Sequence, residues 1–206
     1  MKIAVIDYGV GNLFSLCRSL EFVGALPEIT AEPDAISAAD RVILPGVGAF
    51  GDAMDQLKRR GLDVFIRRLA ASGKPLMGIC LGMQLLFEKS LEFGEHEGLA
   101  LIPGVIRPIG DVIATGLKIP HIGWNALRKT RPHPLLGQVK DGECVYFVHS
   151  FYADTAAENI IADTEYSARL TAAVAKDNVC GCQFHPEKSG DTGLSILKAF
   201  AEGGCL

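Results

Sequence analysis

The feature that most constrains this chain is the order in which short runs rich in Val and Ile alternate with longer amphipathic stretches. Residues 2–7 read as a strand and 12–23 as a helix; residues 41–44 and 50–72, then 75–79 and 81–90, repeat the pattern. Strands separated by crossover helices pair in parallel, with helices on both faces of the sheet. Between Gly104 and Val179 the pattern changes to short strand candidates at 105–109, 119–122, 144–148, 160–164 and 171–175, separated by turns such as Lys140-Asp141-Gly142. Those strands predict an antiparallel extension of the same sheet. A last amphipathic helix is expected over 191–201, and no internal repeat or linker interrupts the chain. The expectation is one α/β domain over residues 1–206: a mainly parallel central sheet with helices on both faces and an antiparallel extension.

A domain of 206 residues buries roughly 70% of the surface its unfolded chain exposes, so a conventional core needs no staples. Although 49% of the residues are hydrophobic, the longest apolar runs fall far short of the roughly 20 residues of a membrane-spanning helix. The N-terminus runs straight into a strand without a basic region, apolar segment and cleavage site in order, which reads as an untargeted cytoplasmic protein. A net charge of −4 with scattered Lys and Arg argues against nucleic acid as a partner. The six cysteines, Cys17, Cys80, Cys144, Cys180, Cys182 and Cys205, lack the paired spacing of a zinc site, so reduced thiols are the default.

One of those thiols stands apart. In Gly78-Ile79-Cys80-Leu81-Gly82-Met83-Gln84 an apolar strand meets two glycines flanking a cysteine, and a helical pattern begins at once. Such glycines permit the sharp strand-to-helix turn that lifts a nucleophile above the sheet edge. A thiol there sits at a helix start, where free N–H groups favour the thiolate, and the Leu81 N–H follows as an oxyanion donor. Taken alone, Cys80 fits a small buried hydrophobe equally well. The other cysteines fall in a helix (Cys17), in strands (Cys144, Cys180, Cys182) and on the tail (Cys205).

Phe184-His185-Pro186-Glu187-Lys188 supplies what a cysteine nucleophile lacks. In extended chain, side chains at i and i+2 share a face, and Pro186 biases His185 toward extended geometry. His185 and Glu187 are therefore expected to point the same way, the carboxylate orienting the imidazole. Without Cys80 the pair would read as a surface histidine beside a glutamate.

A second glycine-rich loop, Pro45-Gly46-Val47-Gly48, follows the strand at 41–44 and so lies at the same carboxyl edge of the sheet as Cys80, where open α/β sheets bind ligands. It lacks the Gly-Lys-Ser/Thr ending of a phosphate loop. The N–H of Val47 or Gly48 is its candidate contribution to an oxyanion site, an ordinary glycine turn being the alternative.

Together the Cys80 turn and the His185 motif resemble the class I glutamine amidotransferases, whose triad is Cys, His and Glu in that chain order. Within that class, Asp7-Tyr8-Gly9-Val10-Gly11-Asn12, Pro45 to Phe50, Pro120-His121-Ile122-Gly123-Trp124-Asn125 and Tyr146-Phe147-Val148-His149-Ser150 are similar to the glutaminase subunits of imidazole glycerol phosphate synthases of histidine biosynthesis. The resemblance implies the class I amidotransferase fold and hydrolysis of L-glutamine to L-glutamate, with ammonia delivered to a (β/α)8-barrel cyclase in a heterodimer. It implies that Gln84, Glu92, His149, Ser150 and Phe151 contact glutamine, and that Asn12, His121, Trp124 and Lys188 lie toward the partner.

The chemistry expected is attack of the Cys80 thiolate on the carboxamide, with Leu81 and Val47 or Gly48 holding the oxyanion, then protonation of departing ammonia by His185 and hydrolysis of the thioester by water that His185 activates. Neither metal nor organic cofactor is required. Two glycines in the 45–48 loop make a peptide flip cheap, so the oxyanion site is expected to wait on the partner. Two alternatives stay open: a glutaminase serving another synthase, and a non-enzymatic thiol sensor of similar fold, which would need no His185-Glu187 pair.

Overall fold

The computed structural model describes residues 1–11 and 13–205. The first half alternates as expected: β1 (Lys2–Ile6), α1 (Leu13–Phe22), β2 (Leu26–Thr30), α2 (Pro33–Ala38), β3 (Arg41–Leu44), α3 (Phe50–Arg59), α4 (Leu62–Ala71), β4 (Leu76–Ile79) and α5 (Leu81–Gln84). The rest is strand-rich: β5 (Phe87–Ser90), β6 (His96–Glu97), β7 (Ile102–Pro108), β8 (His121–Lys129), β9 (Cys144–His149), β10 (Phe151–Asp154), β11 (Ile160–Glu165), β12 (Arg169–Lys176), β13 (Val179–Cys182), closed by α6 (Gly190–Glu202).

Nine strands form the main sheet in the order β2-β1-β3-β4-β13-β12-β11-β8-β9. Its β2 to β13 half is parallel and the remainder antiparallel. One face packs on α1 and α6 through Leu16, Leu20, Leu197 and Phe200, and the other on α2, α3 and α4 through Ile36, Met54, Leu57 and Ile66. Both faces of the inner parallel strands β1, β3 and β4 are thus covered, which is why they read as largely apolar runs.

Several expectations need correction. The helix expected over 50–72 is two helices, because Gly61 takes φ 65° and its N–H closes on the Lys58 carbonyl, ending α3. The helix expected over 81–90 stops at Gln84. The Leu85 and Leu86 carbonyls accept from the amides of Leu99, Leu101 and Ile102, and the chain continues as β5 beside β7, so tertiary pairing overrides helical propensity. The strand expected at 105–109 belongs to β7, in a separate four-stranded sheet ordered β10-β7-β5-β6, and not to the main sheet. Sequence reading missed β2 and α2; Pro27 weakens the strand signal and is tolerated because β2 is an edge. Cys205 lies beyond α6 on the tail, as expected, and is buried there against Cys180.

Candidate active site

The strand-to-helix corner at Cys80 forms because of two glycines whose places have no room for a side chain. A Cβ on Gly82 would lie 1.8 Å from the Leu44 carbonyl oxygen, and one on Gly78 would lie 2.6 Å from the Gly82 oxygen and the Met83 backbone. Their absence lets α5 fold back tightly over β3 and β4. Cys80 pays for that turn with φ 54° and ψ −112°, a strained conformation for a residue with a side chain, of about 1–3 kcal/mol. Its own backbone holds it there: the N–H donates to the Cys182 carbonyl at 2.8 Å, and its carbonyl accepts from Met83 and Gln84. With only four residues, α5 contributes less dipole than the longer helix expected from sequence.

β13 runs parallel beside β4, with Cys182 opposite Ile79, and so brings the residues that follow it to the same sheet end as Cys80. His185 is extended, its N–H donating to the Tyr146 carbonyl at 2.9 Å and its carbonyl accepting from the Ser189 hydroxyl at 2.6 Å. The expected pairing with Glu187 is present, His185 Nδ1 lying 2.8 Å from Oε1. The route differs from the extended chain expected, since Pro186–Lys188 is a 3-10 turn that swings the carboxylate back under the ring. The Glu187 side chain is only 5% exposed. Burial works against a charged His185, but hydrogen bonds and charge from Cys80 and Glu187 outweigh it and raise its pKa to about 10. A thiol and a carboxylate on either side of one imidazole are the set of groups that acyl transfer through a cysteine uses.

The profile of the family described as glutamine amidotransferase class-I matches residues 4–202 of this chain. The chain belongs to the class-I glutamine amidotransferases.

Relatives within this class-I amidotransferase family include the imidazole glycerol phosphate synthase subunit HisH of Bacillus velezensis, 50% identical over 97% of this chain and 95% of the relative. HisH of Bacillus cereus is also 50% identical, over 96% of this chain and 93% of the relative. Among solved structures, that of PurLQS from Thermotoga maritima superposes with a TM-score of 0.76 at 22% identity, covering 98% of this chain and 97% of that one. A crystal structure described as glutamine amidotransferase gives 0.74 at 16% identity, covering 96% and 98%. At such identities these two speak for the fold alone.

In this amidotransferase chain the sequence-selected catalytic, oxyanion and glutamine-contact residues, Glu187 excepted, line one cavity of about 380 Å³, within the usual range for small ligands. Cys80, Leu81, His185, Val47 and Gly48 line it together with Gln84, Glu92, His149, Ser150, Phe151 and Lys188. A wider depression of about 800 Å³ beside the end of α6 holds none of them. Glu92 is half-buried rather than a free charge: one oxygen accepts from the Phe50 N–H at 2.6 Å, capping α3, and burial raises its pKa despite that bond. His149 is held neutral, burial lowering its pKa to about 4.

Sequence reasoning missed Gln183. Fully buried, it accepts from Gln84 Nε2 at 2.9 Å and turns its own Nε2 toward the Cys80 sulfur at 3.8 Å. A glutamine between Cys182 and Phe184 in an otherwise apolar run was the available signal, because a buried amide needs partners.

Of the four residues expected toward a partner, Trp124 is 63% exposed, and Lys188 is exposed with its ammonium 5.7 Å from the Tyr146 ring centroid. His121 is not at the surface of the chain. It is buried at 1% exposure, stacked between Phe147 and Tyr166, because β8 turns it inward opposite His149. Asn12 lies outside the described residues.

Proposed function

We propose that this chain is the glutaminase subunit of an imidazole glycerol phosphate synthase. It hydrolyses L-glutamine through a Cys80 thioester, with His185 as acid and base, Glu187 as its orienter, and Leu81 with Val47 or Gly48 as oxyanion donors. The observation that carries this reading is the convergence of Cys80 and His185 on one cavity, with the Glu187 carboxylate 2.8 Å from His185 Nδ1. Attack on the carboxamide carbon forms the C–S bond; the proton on His185 goes to the departing nitrogen, releasing ammonia. The neutral imidazole then takes a proton from water as it attacks the thioester, giving glutamate and restoring the thiolate and imidazolium. No group beyond these side chains is needed for that balance.

Ammonia passes to a (β/α)8-barrel cyclase subunit that makes imidazole glycerol phosphate and the purine precursor AICAR, in the cytoplasm. Support for docking beside the cavity comes from Ile119, Ile122 and Trp124, all exposed, with Pro120 between them on the cavity wall. The HisH relatives match across nearly their whole length, which favours this synthase over another. Incubation with a glutamine-like diazoketone, followed by peptide mass analysis, tests the chemistry: one adduct on Cys80 is expected, with glutaminase activity lost in Cys80→Ala. Activity surviving in that variant would sink the reading. Co-purification with the cyclase tests the partner.

A further inference from the structure

Tyr8 belongs to none of the catalytic roles above, yet it is among the largest fully buried side chains and stands at the carboxyl end of β1, between the glycine loop and the nucleophile. Its hydroxyl donates to the Pro45 carbonyl at 2.8 Å. That bond fixes the plane of the peptide joining Pro45 to Gly46, since the carbonyl and the following N–H turn together. The next α-carbon is confined as well. A Cβ on Gly46 would meet the Tyr8 hydroxyl at 2.5 Å, the Gly82 nitrogen at 3.1 Å and the Leu81 Cβ at 3.1 Å. Gly46 is thus wedged between the phenol and the corner that carries Cys80.

Beyond Gly46 the constraint ends. Val47 is 44% exposed, and Gly48 has φ +99° with nothing within 4 Å of the place a Cβ would take. The loop has a clamped first half and a free second half. We propose that Tyr8 is a positioning residue for the oxyanion site: its hydroxyl clamps the start of the Pro45 to Gly48 loop against the nucleophile corner and confines any reorientation to the peptides on either side of Val47. Burial, with the Cys80 charge adding to it, raises the phenol's pKa, so the clamp keeps its proton throughout the working range. Without it a buried carbonyl would lose its donor and the loop its fixed distance from Cys80.

This inference rests on the assignment of Val47 or Gly48 as oxyanion donor in the preceding section. Tyr8→Phe keeps the ring and removes only the hydroxyl, so it is the variant to make, assayed in the complex with the cyclase. A loosened oxyanion donor acts on the transition state, so kcat for glutamine should fall about tenfold or more while KM stays within about twofold. Alkylation of Cys80 by iodoacetamide forms no oxyanion, and its rate should stay within about twofold. Hydrogen exchange at Val47 and Gly48 should quicken. As a second line, Gly46→Ala should be less active than Gly46→Ala in the Tyr8→Phe background, where the hydroxyl no longer meets the new methyl. Parental kcat in Tyr8→Phe, equal losses of kcat and alkylation, or a double variant no better than Gly46→Ala would each overturn the proposal. A parent chain that takes no diazoketone on Cys80 would instead overturn the glutaminase reading beneath it.

Discussion

The imidazoles of His121 and His149 meet nitrogen to nitrogen, Nδ1 of the first lying 2.9 Å from Nε2 of the second. His149 Nδ1 is 2.8 Å from the Phe151 carbonyl, which can only accept, so Nδ1 carries the proton. In a neutral ring Nε2 is then an acceptor, and His121 donates to it from Nδ1. A second proton on His149 would break the bond and place a charge in a buried wall of the cavity, consistent with burial depressing both rings.

Stability should follow from that pair. The unfolded His149 takes a proton near pH 6.5 and the folded one only near pH 4, so between those values the unfolded chain binds more protons. Stability contributed by His149 is full above about pH 6.5 and is lost as pH falls through about 4. Urea denaturation of the parent between pH 4 and 7 should give a midpoint that climbs with pH, with a shallower climb in His149→Asn. Equal slopes would mean that His149 is already charged in the folded chain.

His185 carries the opposite dependence. Its folded pKa of about 10 lies above the unfolded value near 6.5, so the folded chain holds the extra proton between them. That contribution is whole below about pH 6.5 and is lost as pH rises through about 10. In Cys80→Ala the support that Cys80 gives the imidazolium is lost, so the decline of Tm from pH 7 to 10 should be smaller than in the parent. A decline as steep as the parental one would show that Cys80 and His185 are not coupled.

How much of this site was legible beforehand depended on where its constraints lie along the chain. Cys80, with glycines on both sides, and His185-Pro186-Glu187 carry their geometry locally, and their motifs are visible in a few residues. The Tyr8 clamp is a contact between residues 37 apart, and the Gln84 to Gln183 bond spans 99, so neither leaves a local signal. The same reason explains β5: Phe87 to Ser90 has the composition of a helix end, and only the distant amides of Leu99 to Ile102 decide otherwise. The inward turn of His121 likewise depends on its register opposite His149.

Two glycines near the nucleophile should respond differently to the same added methyl. Gly82→Ala drives a Cβ into the Leu44 carbonyl, backbone against backbone, and should cost about 3 kcal/mol or more and abolish diazoketone labelling. Gly48→Ala meets open space and strains only its positive φ, costing about 1–2 kcal/mol. The second variant should remain folded and labelled while its kcat falls. Equal destabilisation of the two in urea would contradict this account of the corner.

Trp124 tests the surface rather than the chemistry. Its ring is mostly solvent-facing and touches Tyr146 at a centroid distance of 4.8 Å, so Trp124→Ala should lower stability by about 1 kcal/mol or less. An exposed tryptophan two residues from the exposed Ile122, against a tyrosine whose ring also lies near the Lys188 ammonium, has the composition of a binding anchor, and truncating such an anchor costs about 2 kcal/mol of affinity, roughly thirtyfold in Kd. Calorimetric titration of the cyclase into parent and variant measures this directly. Diazoketone labelling of the isolated variant should match the parent, because Cys80, His185 and Glu187 are untouched. An unchanged Kd would move the docking face away from β8 and leave the exposed Trp124 without a role in ammonia delivery.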